Sequence, residues 1–243
     1  MLLWCACRIE ESHLVLNALA RSRLIRKLIA GDAQRRTRLH DEKGNLVAAN
    51  EWPCLPAIIA RYLRRRLGGT VAIEPWWTTR MTERIEGLLQ PQFRVVEFGS
   101  GYSTLWLAGR VGQVLSIEHE PDWHAIVAAK ATLMGLTTLT LELRPPEHYA
   151  DCQGLADRSI DFCVVDGQVR ARCVRNIWPK LKPGGWLYLD NSDKDMTFAP
   201  DGDNLRSAEA FLLDHCAPAD IEYHTGFTVN SVNVHQGMLC RVR

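Results

Sequence analysis

The stretch Val95-Val-Glu-Phe-Gly-Ser-Gly-Tyr-Ser-Thr104 gathers the residue types that a ligand-binding turn needs. It reads as a strand entering a glycine-rich bend and then a helix, with Ser103 or Thr104 as the expected N-cap. Gly99 and Gly101 permit tight backbone geometry and close approach of a ligand, while the helix presents unpaired N–H groups and a positive dipole end. A dinucleotide fingerprint would place glycine at the sixth position of Gly-x-Gly-x-x-Gly, where this chain has Thr104, which disfavours pyrophosphate. Glu97 argues the same way, because a carboxylate two residues before the first glycine repels phosphate and suits an ammonium group.

Further acids fall at expected strand ends. Glu118 closes Leu115-Ser-Ile-Glu118, about where an acid meets ribose hydroxyls in nucleotide-binding α/β folds. Asp166 closes Ile160-Asp-Phe-Cys-Val-Val-Asp166. Asp190 and Asn191 follow the Lys182-Pro-Gly-Gly185 turn and the run Trp186–Leu189, so Asp166 and Asp190 are expected at one rim. His119, His124 and His148 are the histidines nearest that rim and candidate bases, although none has a partner visible in sequence. Arg170 and Arg172 have the chemistry to clamp a carboxylate or phosphate, and equally to pair along a helix. Lys194, Asp193 and Asp195 fall in the loop after the fifth strand.

Positioning these groups requires alternating strands and helices. Short apolar runs at Phe93–Phe98, Val114–Glu118, Leu139–Leu143, Ile160–Val165 and Trp186–Leu189 predict strands. Candidate helices lie at Thr104–Arg110, Pro121–Met134, Ala171–Lys180 and Ser207–Cys216. That alternation predicts a doubly wound, mostly parallel α/β sheet. Ile221–Tyr223 and Met238–Val242 would suit a terminal antiparallel pair. Upstream, helices are expected at Ser12–Ile29, Pro53–Leu67 and about Thr79–Leu89, with turn chemistry at Asp41-Glu-Lys-Gly-Asn45. The expected division is a basic helical cap over 1–70 and an α/β domain over 71–243.

Taken in order, Glu97-x-Gly-x-Gly, the acid ending the second strand, Asp166 and the Lys-Pro-Gly-Gly turn resemble the class I S-adenosylmethionine-dependent methyltransferases, over roughly residues 76–191. The resemblance implies a Rossmann-like seven-stranded sheet of order 3-2-1-4-5-7-6 with the last strand antiparallel. It implies S-adenosylmethionine as cofactor, with Gly99, Gly101 and Ser103 around its methionyl part, Glu97 near its ammonium group and Glu118 on its ribose. His119 and the Pro146–Tyr149 loop are candidates for the adenine side. Pro75-Trp-Trp-Thr-Thr79 looks like a segment that closes over the cofactor in some small-molecule members, which would bring Trp77 to cofactor or substrate; packing of Trp76 and Trp77 between cap and sheet is the equal alternative. A narrower resemblance links Asp166, Asp190 and Asn191 to the magnesium-holding set of catechol-type O-methyltransferases, where the ion lowers a hydroxyl's pKa. Those enzymes carry Asp-x-x-Lys, whereas position 169 is Val and the nearest cation is Arg170. A metal-free site in which Asp166 and Asp190 act by hydrogen bonding stands beside the magnesium one.

The expected activity is methyl transfer to a small-molecule acceptor at oxygen. Alternatives are an RNA methyltransferase, a nucleotide- or NAD-binding protein, and a non-catalytic cofactor-binding module. Asp166-Gly-Gln-Val does not match the Asn/Asp-Pro-Pro-Tyr element with which many base-modifying enzymes hold a flipped base, so nucleic acid is the weaker expectation.

Composition agrees with this picture. The 243 residues are 47% hydrophobic and 23% charged, the balance of a globular protein. No run approaches the ~18 apolar residues of a membrane span, and the start lacks a secretory pattern, so a cytoplasmic protein is expected. Eight cysteines without Cys-x-x-Cys spacing predict reduced thiols and no structural zinc. Residues 1–70 carry net +7 and the rest −6; the basic groups at Arg21–Lys27, Arg35–Arg38 and Arg61–Arg66 could meet an anionic substrate, nucleic acid or, as the leading expectation, acids of the same molecule, with a homodimer as a further expectation.

Overall fold

The structure, a computed structural model, describes residues 30–69, 72–194, 203–229 and 232–243. The expected helix at 12–29, Cys5, Cys7, Asp195 and the 230–231 part of the tail loop lie outside them.

Seven strands form one sheet in the order β3-β2-β1-β4-β5-β7-β6. They are β1 (Arg94–Phe98), β2 (Gln113–Glu118), β3 (Leu139–Leu143), β4 (Ile160–Val165), β5 (Leu181–Leu189), β6 (Ile221–Phe227) and β7 (Val234–Arg241). The first five pair in parallel, and β7 inserts antiparallel between β5 and β6. Along the chain run α1 (Leu55–Arg66), α2 (Thr79–Glu86), α3 (Tyr102–Ala108), α4 (Pro121–Leu133), α5 (Arg170–Ile177) and α6 (Leu205–His215). This is the Rossmann-like order that the family resemblance implied.

Strand periodicity of two divides the core. Val96 and Phe98 point to the face covered by Ala171, Val174 and Ile177 of α5 and Leu205, Ala208 and Leu212 of α6. Val95 points to the opposite face, against Met81 and Ile85 of α2 and Trp106 of α3. Alternation therefore puts Glu97 on the α3 side. Residues 95–98 of β1 and 162–165 of β4 are buried, and a sheet covered on both faces reads as continuous apolar runs rather than alternation.

Element ends depart from sequence expectation where local polar chemistry wins. The N-cap of α3 is Gly101, not Ser103 or Thr104; both hydroxyls donate inward to Glu97, and Thr104 serves the cap from the N3 position by accepting the Gly101 N–H. The Lys182–Gly185 segment is no turn ahead of β5; it lies inside the strand as an irregularity, with Gly184 at φ +81°. The tail strands extend through His224–Phe227 and Val234–Gly237, polar stretches that gain ladder bonds from each other.

Of the expected helical cap, the described part is only half helical. Residues 30–48 form isolated bridges around the Asp41 turn, where Asn45 N–H donates to Asp41 Oδ1 at 2.8 Å and Gly44 takes φ +86°. A 3-10 turn at Ala49–Cys54 then leads into α1. Val47 and Ile58 pack on Phe227 and Val234 of the sheet, and Lys43 bridges to Glu209 of α6 at 2.5 Å. Among the described residues no helix is long and apolar enough to cross a membrane, and the six described cysteines are unpaired.

Candidate active site

The turn after β1 needs its first glycine. Gly99 sits at φ +97°, and a Cβ there would lie 2.8 Å from the Asp166 carbonyl and the Gly167 Cα. No other residue fits both conditions. Gly101 differs: its backbone is extended, and a Cβ would meet nothing nearer than Ser103 Oγ at 3.8 Å, so its bareness leaves room for a ligand. The Gly101 N–H donates to Thr104 Oγ1 at 2.8 Å, which closes the turn.

Beneath that turn Glu97 is fully buried. Its Oε1 accepts from Ser103 Oγ at 2.6 Å, and Oε2 accepts from Thr104 Oγ1 at 2.5 Å and Ser116 Oγ at 2.8 Å. Loss of water pushes its pKa up to about 7, against the pull of these three hydroxyls. Glu97 does not line the cavity above it; Ser103, whose hydroxyl it holds, does.

The cavity measures about 460 Å³ and lies beyond the C-terminal ends of β1, β2 and β4, the general position for ligands in open α/β sheets. Glu118 forms one wall and is nearly buried. Its Oε2 accepts from Ser100 N–H at 3.0 Å, and Oε1 from the N–H groups of His119 at 2.7 Å and Glu120 at 2.9 Å. A carboxylate anchored by three backbone donors keeps a fixed orientation and spare lone pairs for a diol. His119 lines the same wall, with Nδ1 2.9 Å from Glu118 Oε1 and Nε2 2.6 Å from Gln168 Nε2. Trp123 donates its indole N–H to Ser100 O at 2.6 Å and closes the far side.

A second cavity of about 320 Å³ adjoins the first. Trp76 and Asp166 line both. Trp76 stacks on Tyr102 with centroids 5.9 Å apart, and the Arg65 guanidinium lies 4.8 Å from its ring. Asp190, Asn191, Lys194 and His235 belong to the second cavity. Asp190 accepts the Tyr188 hydroxyl at 2.5 Å. Burial, then the neighbouring Asp166, push Asp190 up to about 8. Burial also raises Asp166, opposed by Arg170, whose Nη2 lies 3.2 Å from Asp166 Oδ1.

Arg170 bears on the magnesium expectation. Its Nε donates to Gly167 O at 2.8 Å, Nη1 to Asp190 O and Nη2 to Asp166, so a guanidinium already links the two loops that would carry the ion. Among the described residues no three His, Cys, Asp or Glu side chains group as metal ligands. A divalent ion at Asp166, Asp190 and Asn191 would have to share Asp166 with the Arg170 guanidinium.

The structure thus brings Gly99, Gly101, Ser103, Glu118, His119 and Asp166 to one cavity, and Asp166, Asp190 and Asn191 to the next. Trp77 goes elsewhere: it is fully buried against Trp106 and Tyr188, and its neighbour Trp76 faces the cavities. His148 is exposed beside Asp151, and Tyr149 is buried in the core. Sequence reading missed Trp123 and His235, and gave Arg65 only as one of a basic group. Trp123 carried a signal, since it follows the acid by five positions at the start of a predicted helix; His235 arrives from a distant element and carried none.

Residues 96–192 match a family model described as a methyltransferase domain. No curated protein sequence matches the chain. Solved structures resemble it at low identity. The cofactor-bound Rv0187 from MTB has TM-score 0.52 and 19% identity, covering 77% of this chain and 90% of that one. The precorrin-6y C5,15-methyltransferase from Geobacter metallireducens has TM-score 0.52 and 16% identity over 68% and 87%. A protein provisionally titled O-methyltransferase, from Klebsiella pneumoniae, has TM-score 0.51 and 17% identity over 81% and 97%. Sheet order, the acid-glycine turn and the methyltransferase-domain match over residues 96–192 agree: this chain resembles the class I S-adenosylmethionine-dependent methyltransferases in fold and in that domain.

Proposed function

We propose that the protein methylates a hydroxyl of a small-molecule acceptor held in the second cavity. The observation that carries this is the shared wall: Trp76 and Asp166 line both cavities, so a cofactor in the larger one and an acceptor in the smaller one would meet there. A volume of about 320 Å³ suits a small molecule.

S-adenosylmethionine supplies an electrophilic methyl group on a sulfonium. The chain's part is to hold and align. Glu118 would accept hydrogen bonds from the ribose diol, the Gly99–Gly101 backbone would lie along the methionyl part, and Glu97 would favour its ammonium. The bound group would supply its methyl to the acceptor oxygen, the carbon–sulfur electron pair staying on sulfur. Asp166 takes the hydroxyl proton; its raised pKa makes it a stronger base than an ordinary carboxylate. Arg170 holds Asp166 in place, and this reading has no metal step.

The test is transfer of labelled methyl from S-adenosylmethionine to a panel of phenols, catechols and hydroxy acids, with and without a chelator. O-methyl products formed equally in both, with kcat falling at least 100-fold in Asp166→Asn while S-adenosylhomocysteine still binds, are expected. Label appearing only in RNA, or activity that vanishes with chelator, contradicts the reading.

A further inference from the structure

The second cavity is rich in hydrogen-bond donors and holds two cations outside any salt bridge among the described residues, although Lys194 is close enough to pull on Asp166. Arg65, from α1, and Lys194, after β5, both line it. Neither forms a salt bridge with a carboxylate among the described residues, whereas most other basic side chains near the sheet rim do: Arg35 with Glu42, Lys43 with Glu209, Arg170 with Asp166, Arg206 with Glu209. Arg65 is oriented by Trp76, its guanidinium 4.8 Å from the ring. Arg35, itself nearly buried, places Nη2 3.3 Å from His235 Nδ1. An arginine only donates, so Nδ1 must accept, and neutral His235 carries its proton on Nε2. His235 is therefore a donor too. Thr228 and Asn191 complete the wall with a hydroxyl and an amide. Of the two acids present, Asp166 is bound to Arg170 and Asp190 to the Tyr188 hydroxyl.

A wall of this kind matches a group that only accepts hydrogen bonds and carries negative charge. We propose that the acceptor is an anionic small molecule whose carboxylate or phosphate is held between Arg65 and Lys194, with its hydroxyl directed to Asp166 at the junction of the cavities. This rests on the reading of the second cavity as the acceptor site and narrows its substrate class. It also gives the segment before the α/β domain a role, because Arg65 and, through His235, Arg35 come from it.

Binding tests this without turnover. The full chain, saturated with S-adenosylhomocysteine, is titrated with a series of aryl and alkyl carboxylates, their neutral amides, and inorganic and phenyl phosphate. Carboxylates or phosphates are expected to bind at least tenfold more tightly than the amides, and the better of the two names the anion. Arg65→Met and Lys194→Met should each weaken that binding at least tenfold, while Arg64→Met, an equal charge change on an exposed neighbour, leaves it unchanged. Equal binding of amides and anions, no anion binding, or an equal loss in Arg64→Met overturns the proposal. The outcomes separate from those of the function itself: anion binding without methyl transfer to any acceptor sinks the transferase reading alone, and transfer that ignores acceptor charge sinks this one alone.

Discussion

Two carboxylates at neighbouring strand ends are given opposite tasks by their surroundings. Glu118 accepts three backbone N–H groups that fix its orientation at the cavity wall. Glu97 is sealed from water and meets only hydroxyls. Glu118→Ala removes both the diol acceptor and the anchor of three backbone donors, and should weaken S-adenosylhomocysteine binding by about 1–3 kcal/mol; calorimetry that finds unchanged affinity removes Glu118 from the ribose site. For Glu97 the folded pKa of about 7 stands above its ordinary 4.5. The folded state thus holds a proton that the unfolded chain has lost, and stability present below about 4.5 declines as pH rises to about 7. Glu97→Gln should flatten that decline by about 1.4 kcal/mol per pH unit, read from denaturant melts across the interval. Glu51, also buried and pushed up to about 7, keeps part of the slope in the variant. An unaltered slope would mean that Glu97 stays charged when buried. These acids were legible in the sequence because strand-end position and glycine spacing are local. Trp77 was not resolved from Trp76, since adjacent residues on extended chain face opposite ways and which one faces the core depends on Trp106 and Tyr188, far along the chain.

Among the elements, the β1–α3 turn carries the most. Gly99→Ala combines a left-handed backbone with contacts of 2.8 Å to Asp166 and Gly167, at a cost of about 2–5 kcal/mol. The melting temperature should fall by roughly 5–15 °C in a chain of this size. Gly101→Ala, with an extended backbone and free space, should melt within about 2 °C of the parent and lose cofactor affinity instead. If both variants melt alike, the division of labour between the two glycines is wrong. The parallel strands were readable because each is a short apolar run buried on both faces, and β3 and β4 agree with expectation end to end. β6 and β7 were only partly readable: His224-Thr-Gly226 and His235-Gln-Gly237 are polar, and their strand state comes from pairing across the ladder rather than from their own preference.

At the scale of the molecule, the charge imbalance acquires a physical account. Part of the positive excess of residues 1–70 is neutralised by acids outside that segment, at Lys43 with Glu209 and at Arg61 with Glu74. The sequence showed the excess and the sheet, but not that residues 30–48 would reach the start of β7. Their contacts with Glu209, Val234 and His235 span nearly the whole chain length. The central claim is that the acid-glycine turn and Glu118 build a site for S-adenosylmethionine. Calorimetric titration of the full chain with S-adenosylhomocysteine, with NAD as control, tests it most directly. Saturable one-to-one binding of S-adenosylhomocysteine, weakened in Glu118→Ala and without heat from NAD, is predicted. No heat from S-adenosylhomocysteine, or tighter binding of NAD, contradicts it.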